Sequence, residues 1–411
     1  MKTIAILIVC FASAALAEVP RFAMKDVGAS SDPKSVEVRG VAAGAFDPAI
    51  WEAGTLHLLP DSHKPVLEPR PGKFRNIYAP SIVQVGEKWR IYYGGWDGVP
   101  TGNDRIYLTE TADFFTFSDR RTVIEHGKFQ HVCNVNVVPT DHGFAMVCTA
   151  FPDAHRRNKP ATFFSEDGVR FNGADGAFAA SREQIIAVEG YPNYANADIN
   201  GLNVLLHETG IYRLYFANFH DFGKIYRASS ADGKRFEFDG KVLDGALAIN
   251  DVKKFRVGEN NWYLMGLHMN GDRMYYSVSR DGMKFPEARM LAMHETDADR
   301  FIVAVGFVTS GEQDEPGRKV MGVMYGAGAM ASLNQNRIFA RWLQKRIVFT
   351  AGERKLEPGA ALGPDRQVLG LTEDAVGTVE VFADDGKTLV GRGDNVTLKP
   401  GRAYEVARIK D

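Results

Sequence analysis

Five times along the chain the same order of features returns: a small or polar residue, an apolar strand, a turn, an aromatic-rich strand and a third strand. The clearest copies end in Ser-x-Asp-Gly-x-x-Phe. The first unit is "APSIVQVGEKWRIYYGG" followed by "RIYLTETADFFTF", and the second is "NVNVVPTDHGFAMVCTA" followed by "ATFFSEDGVRF". The third is "GLNVLLHETGIYRLYFAN" with "KIYRASSADGKRF", and the fourth is "NDVKKFRVGENNWYLMGL" with "RMYYSVSRDGMKF". The fifth, "AVGFVTSGEQDEPGRKVMGVMYGAG" with "RIFARWLQKRIVF", is more divergent. A period of roughly 50 residues is the signature of a repeat architecture. One such antiparallel meander cannot bury both its faces, but blades stacked around an axis bury each other and leave only short edges. Asp167-Gly168, Asp232-Gly233 and Asp281-Gly282 supply tight turns, and Phe171, Phe236 and Phe285 read as plugs between blades. The expected fold is all-β: a five-bladed β-propeller over residues 18–350 with a small C-terminal β domain over 351–411.

Composition agrees. Aromatics reach 11% and glycines number 41, which suits short strands and many turns. The formal net charge of −2 and the lack of a basic stripe exclude a general affinity for nucleic acid. The leader "MKTIAILIVCFASAALAEVP" has Lys2, an apolar run from Ile4 to Ala15 and small residues at Ala15 and Ala17. That is the form of a secretory signal over residues 1–17. The run is shorter than the ~20 residues a membrane span requires. A secreted or periplasmic protein without a membrane anchor is expected. Cys133 and Cys148 flank an apolar hairpin centred on Pro139–Gly143, which would set them face to face, and an oxidising compartment would then allow a disulfide.

The blade openings "PVLEP", "APSIVQVGEKWRIYYGG" and "INDVKKFRVGENNWYLMG" and the endings "SEDGVRF", "SADGKRF" and "SRDGMKF" resemble those of five-bladed propeller glycoside hydrolases, the group around families 43, 32, 117 and 130. The resemblance spans roughly residues 60 to 350. It implies a sugar ligand in a funnel at the propeller axis, with carboxylates from several innermost strands. One departure stands out. Many members of the group place an Asp just before the Pro of the first blade, and here the stretch is Tyr78-Ala79-Pro80-Ser81.

Aligning the units by their turns puts Ser81, Asn136, Asn203, Asp251 and Gly306 at matching points of the innermost strands. A ring rich in amides suits sugar hydroxyls, which need donors and acceptors together. Glycoside hydrolysis normally needs two carboxyl groups flanking the bond. Asp251 and Asp198 are the expected pair, with Asp97 or Glu189 as a third acid; each also reads as a turn or loop residue. Asn136, Asn203, His268, His220, Trp96, Arg75 and Ser81 are the expected sugar contacts, and His131 is a further funnel candidate. No HxH or HExxH spacing supports zinc, and no cofactor is indicated. No Walker loop or G-x-S-x-G elbow is present. A glycoside hydrolase is the expected function. A carbohydrate-binding propeller without catalysis and a phosphate-using glycoside phosphorylase stand as alternatives.

Overall fold

The repeats become sheets. The computed structural model describes residues 19–409 apart from 202 and 333. The expected signal segment therefore lies outside the described residues. Blade 1 runs from the axis outward as Arg75–Val85, Lys88–Asp97, Arg105–Thr111 and Arg121–Glu125. Blade 2 has three strands, His131–Thr140, Gly143–Phe151 and Lys159–Ser165. Blade 3 comprises Asn203–Glu208, Ile211–Ala217, Lys224–Ser230 and Arg235–Asp244, and blade 4 comprises Ala248–Val257, Asn260–His268, Arg273–Ser279 and Arg289–Met293. Blade 5 is Phe301–Ser310, Lys319–Gly328 and Arg337–Leu343, completed on its outer edge by Leu58–Pro60 from the start of the chain. The protein is a five-bladed propeller, closed by a strand from one end of the chain.

Blade 2 lacks a fourth strand because the segment after it is used elsewhere. Phe178–Ala179 pairs in parallel with the outer strand of blade 1, and Ala187–Glu189 does the same for blade 3. One stretch of chain thus stitches three blades together.

The Ser-x-Asp-Gly motif folds identically in blades 2, 3 and 4. The serine hydroxyl oxygen accepts from the glycine N–H at 2.9, 2.9 and 3.2 Å. The aspartate accepts from the two backbone N–H groups beyond the glycine at 2.8 to 2.9 Å. Gly168, Gly233 and Gly282 have φ of 71°, 70° and 65°, where glycine meets no Cβ penalty. Each glycine carbonyl then accepts a hydroxyl from the preceding blade: Tyr92 to Gly168, Thr162 to Gly233 and Tyr215 to Gly282. Blade 1 repeats the turn with Thr111 and Asp113, but Phe114 takes the left-handed position at φ 62°. Its ring fills the space between Trp89 and Trp342. Phe171, Phe236 and Phe285 are buried between blades, as the repeat implied.

Near the axis the matching polar positions form clasps from blade to blade. Ser81 Oγ accepts from Val137 N–H at 2.9 Å, Asn136 Oδ1 from Leu205 N–H at 3.0 Å, and Asp251 Oδ2 from Phe307 N–H at 2.9 Å. Asn136 Nδ2 donates to Asp251 Oδ1 at 3.2 Å, and Lys253 Nζ lies 3.1 Å from the same oxygen. At the fifth position Gly306 packs so closely that an added Cβ would sit 2.2 Å from the Pro80 carbonyl oxygen.

The second domain is a sandwich built from both ends of the chain. One sheet has the order Phe22–Ala29, Arg402–Arg408, Val36–Arg39, Arg366–Leu369, Ala360–Ala361. The other has the order Arg354–Leu356, Arg346–Ala351, Ala375–Phe382, Leu389–Leu398. Val36, Val38, Ile347, Phe349, Val379, Val381 and Leu398 fill the space between them. The expected division at residue 350 thus needs correction at both sides. Among the described residues, 22–39 find pairing partners only in the C-terminal strands, and the sandwich already includes Arg346–Ala351. Asp61 joins the two domains, accepting from Trp342 Nε1 at 2.6 Å and from Gly363 N–H at 3.0 Å.

The expected disulfide is also corrected: Cys133 and Cys148 are buried free thiols. Cys133 stands opposite Thr149, one register position from Cys148, with a bulge at 133–136. Successive side chains in a strand point to opposite faces. Cys133 therefore joins Tyr78 at the axis, and Cys148 joins the core between blades 1 and 2. In protein made from residue 18 onward, two thiols per chain should react with Ellman's reagent in denaturant without prior reduction; none reacting would restore the disulfide.

Replacing Asp251 by Ala removes a partner of Lys253, which is 6% exposed, and orphans the Phe307 N–H. Breaking a buried pair on one side costs about 3–5 kcal/mol. Urea melts should show that loss for Asp251→Ala, whereas an unchanged melt would return Asp251 to the candidates for chemistry.

Candidate functional site

The innermost strands all begin at one end of the axis, the mouth, and run toward a cavity of about 1060 Å³ lined by Gln84, Thr140, His207, Lys253 and Arg318 at the other. A bulge interrupts the leading part of the innermost strand in blades 1, 2, 4 and 5. Bulges re-aim side chains at sheet edges and beside functional sites. Ala79 and Asn134 sit in two of them with left-handed φ of 49° and 53°. For residues other than glycine such a backbone costs on the order of 1–3 kcal/mol and persists only when its surroundings impose it. Gly94 and Gly326 make room: a Cβ on Gly94 would lie 3.2 Å from Asn134 N, and one on Gly326 2.9 Å from the Tyr78 Cβ.

Tyr78, Ala79, Cys133, Val303 and Ala304 pack together at this end as a small buried apolar cluster. Apolar side chains thus stand where the first-blade acid of the resembling group would be. A carboxyl group does lie beside this cluster, on another strand. Asp104, at the head of the third strand of blade 1, is 7% exposed and accepts from the Tyr78 hydroxyl at 2.8 Å. Burial raises its pKa above the usual carboxylate range. It outweighs the Tyr78 hydrogen bond, the nearby His131 ring and the Trp96 indole, each of which favours the ionised form. The Trp96 Nε1–H is buried without a hydrogen-bond partner among the described residues. Phe74 meets the Trp96 ring edge-on at 5.7 Å.

A polar chain leads from His131, near Asp104, across blade 2 to blade 3. His131 stacks on Phe151 with ring centroids 5.2 Å apart, and its Nε2 lies 3.3 Å from Asn158 Oδ1. Asn158 donates to Asp198 Oδ1 twice, from its backbone N–H at 3.1 Å and from Nδ2 at 2.7 Å. The Asp198 N–H in turn donates to Asn218 Oδ1 at 2.9 Å. Lys159, 2% exposed, fixes this loop by donating to the carbonyls of Tyr194, Ala195 and Ala197. Asp198 remains half-buried, between the network and solvent.

The structure therefore brings Trp96, His131 and Asp198 to the mouth and separates the other expected residues. Ser81, Asn136 and Asp251 are the clasps described above, each at most 2% exposed. Asn203 accepts from Thr149 Oγ1 at 2.9 Å, while its Nδ2 is buried without a partner among the described residues. Asp97 is 1% exposed beneath Arg70 and Arg120 and accepts from the Tyr93 hydroxyl at 2.9 Å, so it does not reach the funnel. Glu189 is exposed on the edge strand of blade 3 and lacks the burial an acid role requires. Arg75 is exposed and pairs with Glu68 at 3.8 Å. His220 is exposed in the turn after the second strand of blade 3.

His268 is 4% exposed, with Nδ1 2.7 Å from Asn250 Oδ1 and Nε2 2.9 Å from Asn270 Oδ1. Burial lowers its pKa to about 4, so the ring is neutral, with one donor and one acceptor nitrogen. One of the two amides must then turn its NH2 toward the ring. Sequence reading missed Asp104, Tyr78, Asn158, Lys159 and Asn218. "TGNDRIYL" offers only a turn-like Gly-Asn-Asp before a strand.

Among the described residues, no group of three or more His, Cys, Asp or Glu is placed to hold a metal ion. No helix among them is long and apolar enough to cross a membrane.

No protein-family model matches the chain, and a search of curated proteins finds no match. Solved structures share its fold. The catalytic domain of a family 62 α-L-arabinofuranosidase from Coprinopsis cinerea aligns with a TM-score of 0.51 at 14% identity, over 71% of this chain and 98% of that one. A protein from Bacteroides thetaiotaomicron described as a glycosidase aligns with a TM-score of 0.50 at 13% identity, over 72% and 99%. At these identities the likeness establishes the propeller fold and assigns no residue a role.

The lowered pKa of His268 sets the sign of a pH dependence. Its neutral form is favoured in the folded state, so the stability it contributes is complete above the unfolded value near 6.5 and is lost as pH falls toward about 4. A tenfold change in proton affinity is worth about 1.4 kcal/mol, so the loss is on the order of 3 kcal/mol. Thermal melts across that window should show a steeper fall for the native protein than for His268→Gln. Parallel curves would refute a buried neutral ring.

Proposed function

We propose that the protein is a glycoside hydrolase working outside the cytoplasm, with its reaction centre at the mouth of the propeller axis. The observation that carries this reading is Asp104: a buried carboxyl bonded to the Tyr78 hydroxyl at the mouth, near His131, which is itself linked through Asn158 to a second carboxylate, Asp198. The shared fold with glycosidases and the signal-like leader support it.

In this reaction Asp104, whose burial penalises the charged form, is the proton donor: it passes a proton to the glycosidic oxygen as the C–O bond breaks. Asp198 supplies the second carboxylate, taking a proton from the attacking water or attacking the sugar carbon itself. The Asp104 carboxylate left behind is stabilised by the Tyr78 hydroxyl and the Trp96 indole and recovers its proton at the end of the cycle. Trp96, partly exposed, offers an aromatic surface to a sugar face while its indole N–H is turned inward. Arg75 and Arg337 both pair with Glu68, which favours water over phosphate as the second substrate.

A second reading, glycan binding without cleavage, is favoured by one observation: the leading positions of the innermost strands carry Ala79 and Asn134 rather than acids. The experiment is a panel of oligo- and polysaccharides incubated with the mature protein, with and without phosphate, and products identified by mass spectrometry. Cleavage should be phosphate-independent and fall about 10²–10⁴-fold in Asp104→Asn. The loss should be much smaller for aryl glycosides with good leaving groups, which need little acid assistance. Asp198→Asn should abolish turnover of both substrate types. Binding with no product from any substrate would establish the second reading.

A further inference from the structure

Beside Asp198, over blade 3, lies a cavity of about 380 Å³. This is the size of a small-ligand site. Tyr191, Asn193, Asn196, His220, Tyr226 and Phe238 line it. Its base is aromatic: Tyr191 meets Tyr226 at 5.2 Å and Phe238 at 5.3 Å, edge to face in both cases. Its rim is polar. Asn193 and Asn196 are exposed, held together by a hydrogen bond of 2.7 Å, and His220 is exposed opposite Asn218. No Lys or Arg lines the cavity, and its one carboxylate, Asp221, is already paired with Lys224 at 2.8 Å and bonded to the Tyr226 hydroxyl. The same turn exposes Phe219 and Phe222, 45% and 44% exposed and stacked with ring centroids 5.9 Å apart.

A charged ligand would meet no free counter-charge here. A wholly apolar one would leave two amides and an imidazole unused. A ring with hydroxyls around its edge and C–H groups on its faces matches both the rim and the base. The cavity is also joined to the mouth, since Asn218 accepts from the Asp198 N–H and donates to the Tyr191 hydroxyl at 3.3 Å. From this geometry we infer that the blade 3 cavity is a binding subsite for a neutral sugar unit of the same glycan that reaches Asp198. This rests on the hydrolase reading above and deepens it: the substrate is a neutral chain of several units, extending from the axis over blade 3.

The test uses the mature protein and neutral oligosaccharides from mono- to hexasaccharide, with uronic-acid oligomers as charged counterparts. Binding is measured by calorimetry in the Asp104→Asn background, so that turnover cannot interfere. Affinity for neutral oligomers should rise with chain length, and Asn196→Ala combined with His220→Ala should weaken the longer oligomers about tenfold with an unchanged melting temperature. A single Tyr226→Phe change, which keeps the base, should leave most of the affinity. Length-independent binding, equal affinity in the double variant or preference for charged oligomers would overturn the subsite. The two readings fail separately. Length-dependent binding lost in the double variant, with no cleavage by the native protein, would keep the subsite and sink the hydrolase. Cleavage by the native protein unaffected by the double variant would do the reverse.

Discussion

The pairing of Leu58–Pro60 with Arg341–Leu343 is short, yet the rest of the propeller depends on it. Five sheets that each need both faces covered are satisfied only if the last meets the first, and this strand fastens the join. Everything nearer the axis presumes the closed ring. Gly306 can touch Pro80, and Asp251 can hold Phe307, only while blades 4, 5 and 1 stay in register. The hydrogen bonds inside the ring add about 1 kcal/mol each and fix the spacing. The buried apolar surfaces between blades hold them there.

That closure explains how the mouth is equipped. An inner strand whose polar side chain grips the next blade's backbone has committed that group to structure. Ser81, Asn136 and Asp251 are committed in this way. Side chains free of that task lie above the clasps: Asp104 at the head of a third strand, His131 at the start of an innermost strand and Asp198 in the loop before another. The bulges at Ala79 and Asn134 mark the level at which the strands pass from gripping each other to presenting side chains.

The blades were legible in the sequence because their turn chemistry is local. Serine, aspartate and glycine satisfy one another within a few residues, and the phenylalanine that follows is buried for any partner. The polar ring was legible as a ring but not in its role, since an asparagine aimed at a neighbour's N–H and one aimed at a ligand are the same letter at the same spacing. Asp104 was hidden for a related reason: burial gives it its character, and the residue covering it, Tyr78, lies in another strand. The cysteine pairing failed on a single bulged position, which spacing cannot reveal. The sandwich was half visible, because its N-terminal strands are meaningful only beside partners more than 300 residues away.

Those distant partners have a consequence in time. Phe22 pairs with Arg408 and Ala29 with Arg402, so the first described strand waits during synthesis for the last. Leu58–Pro60 likewise waits for the fifth blade. Such long-range pairing makes folding slow. Blades 1 to 4 can form hairpins as they emerge, but no intermediate can lock. With the first and last described strands side by side in one sheet, joining those two strands and cutting the chain in a surface loop would redraw no strand.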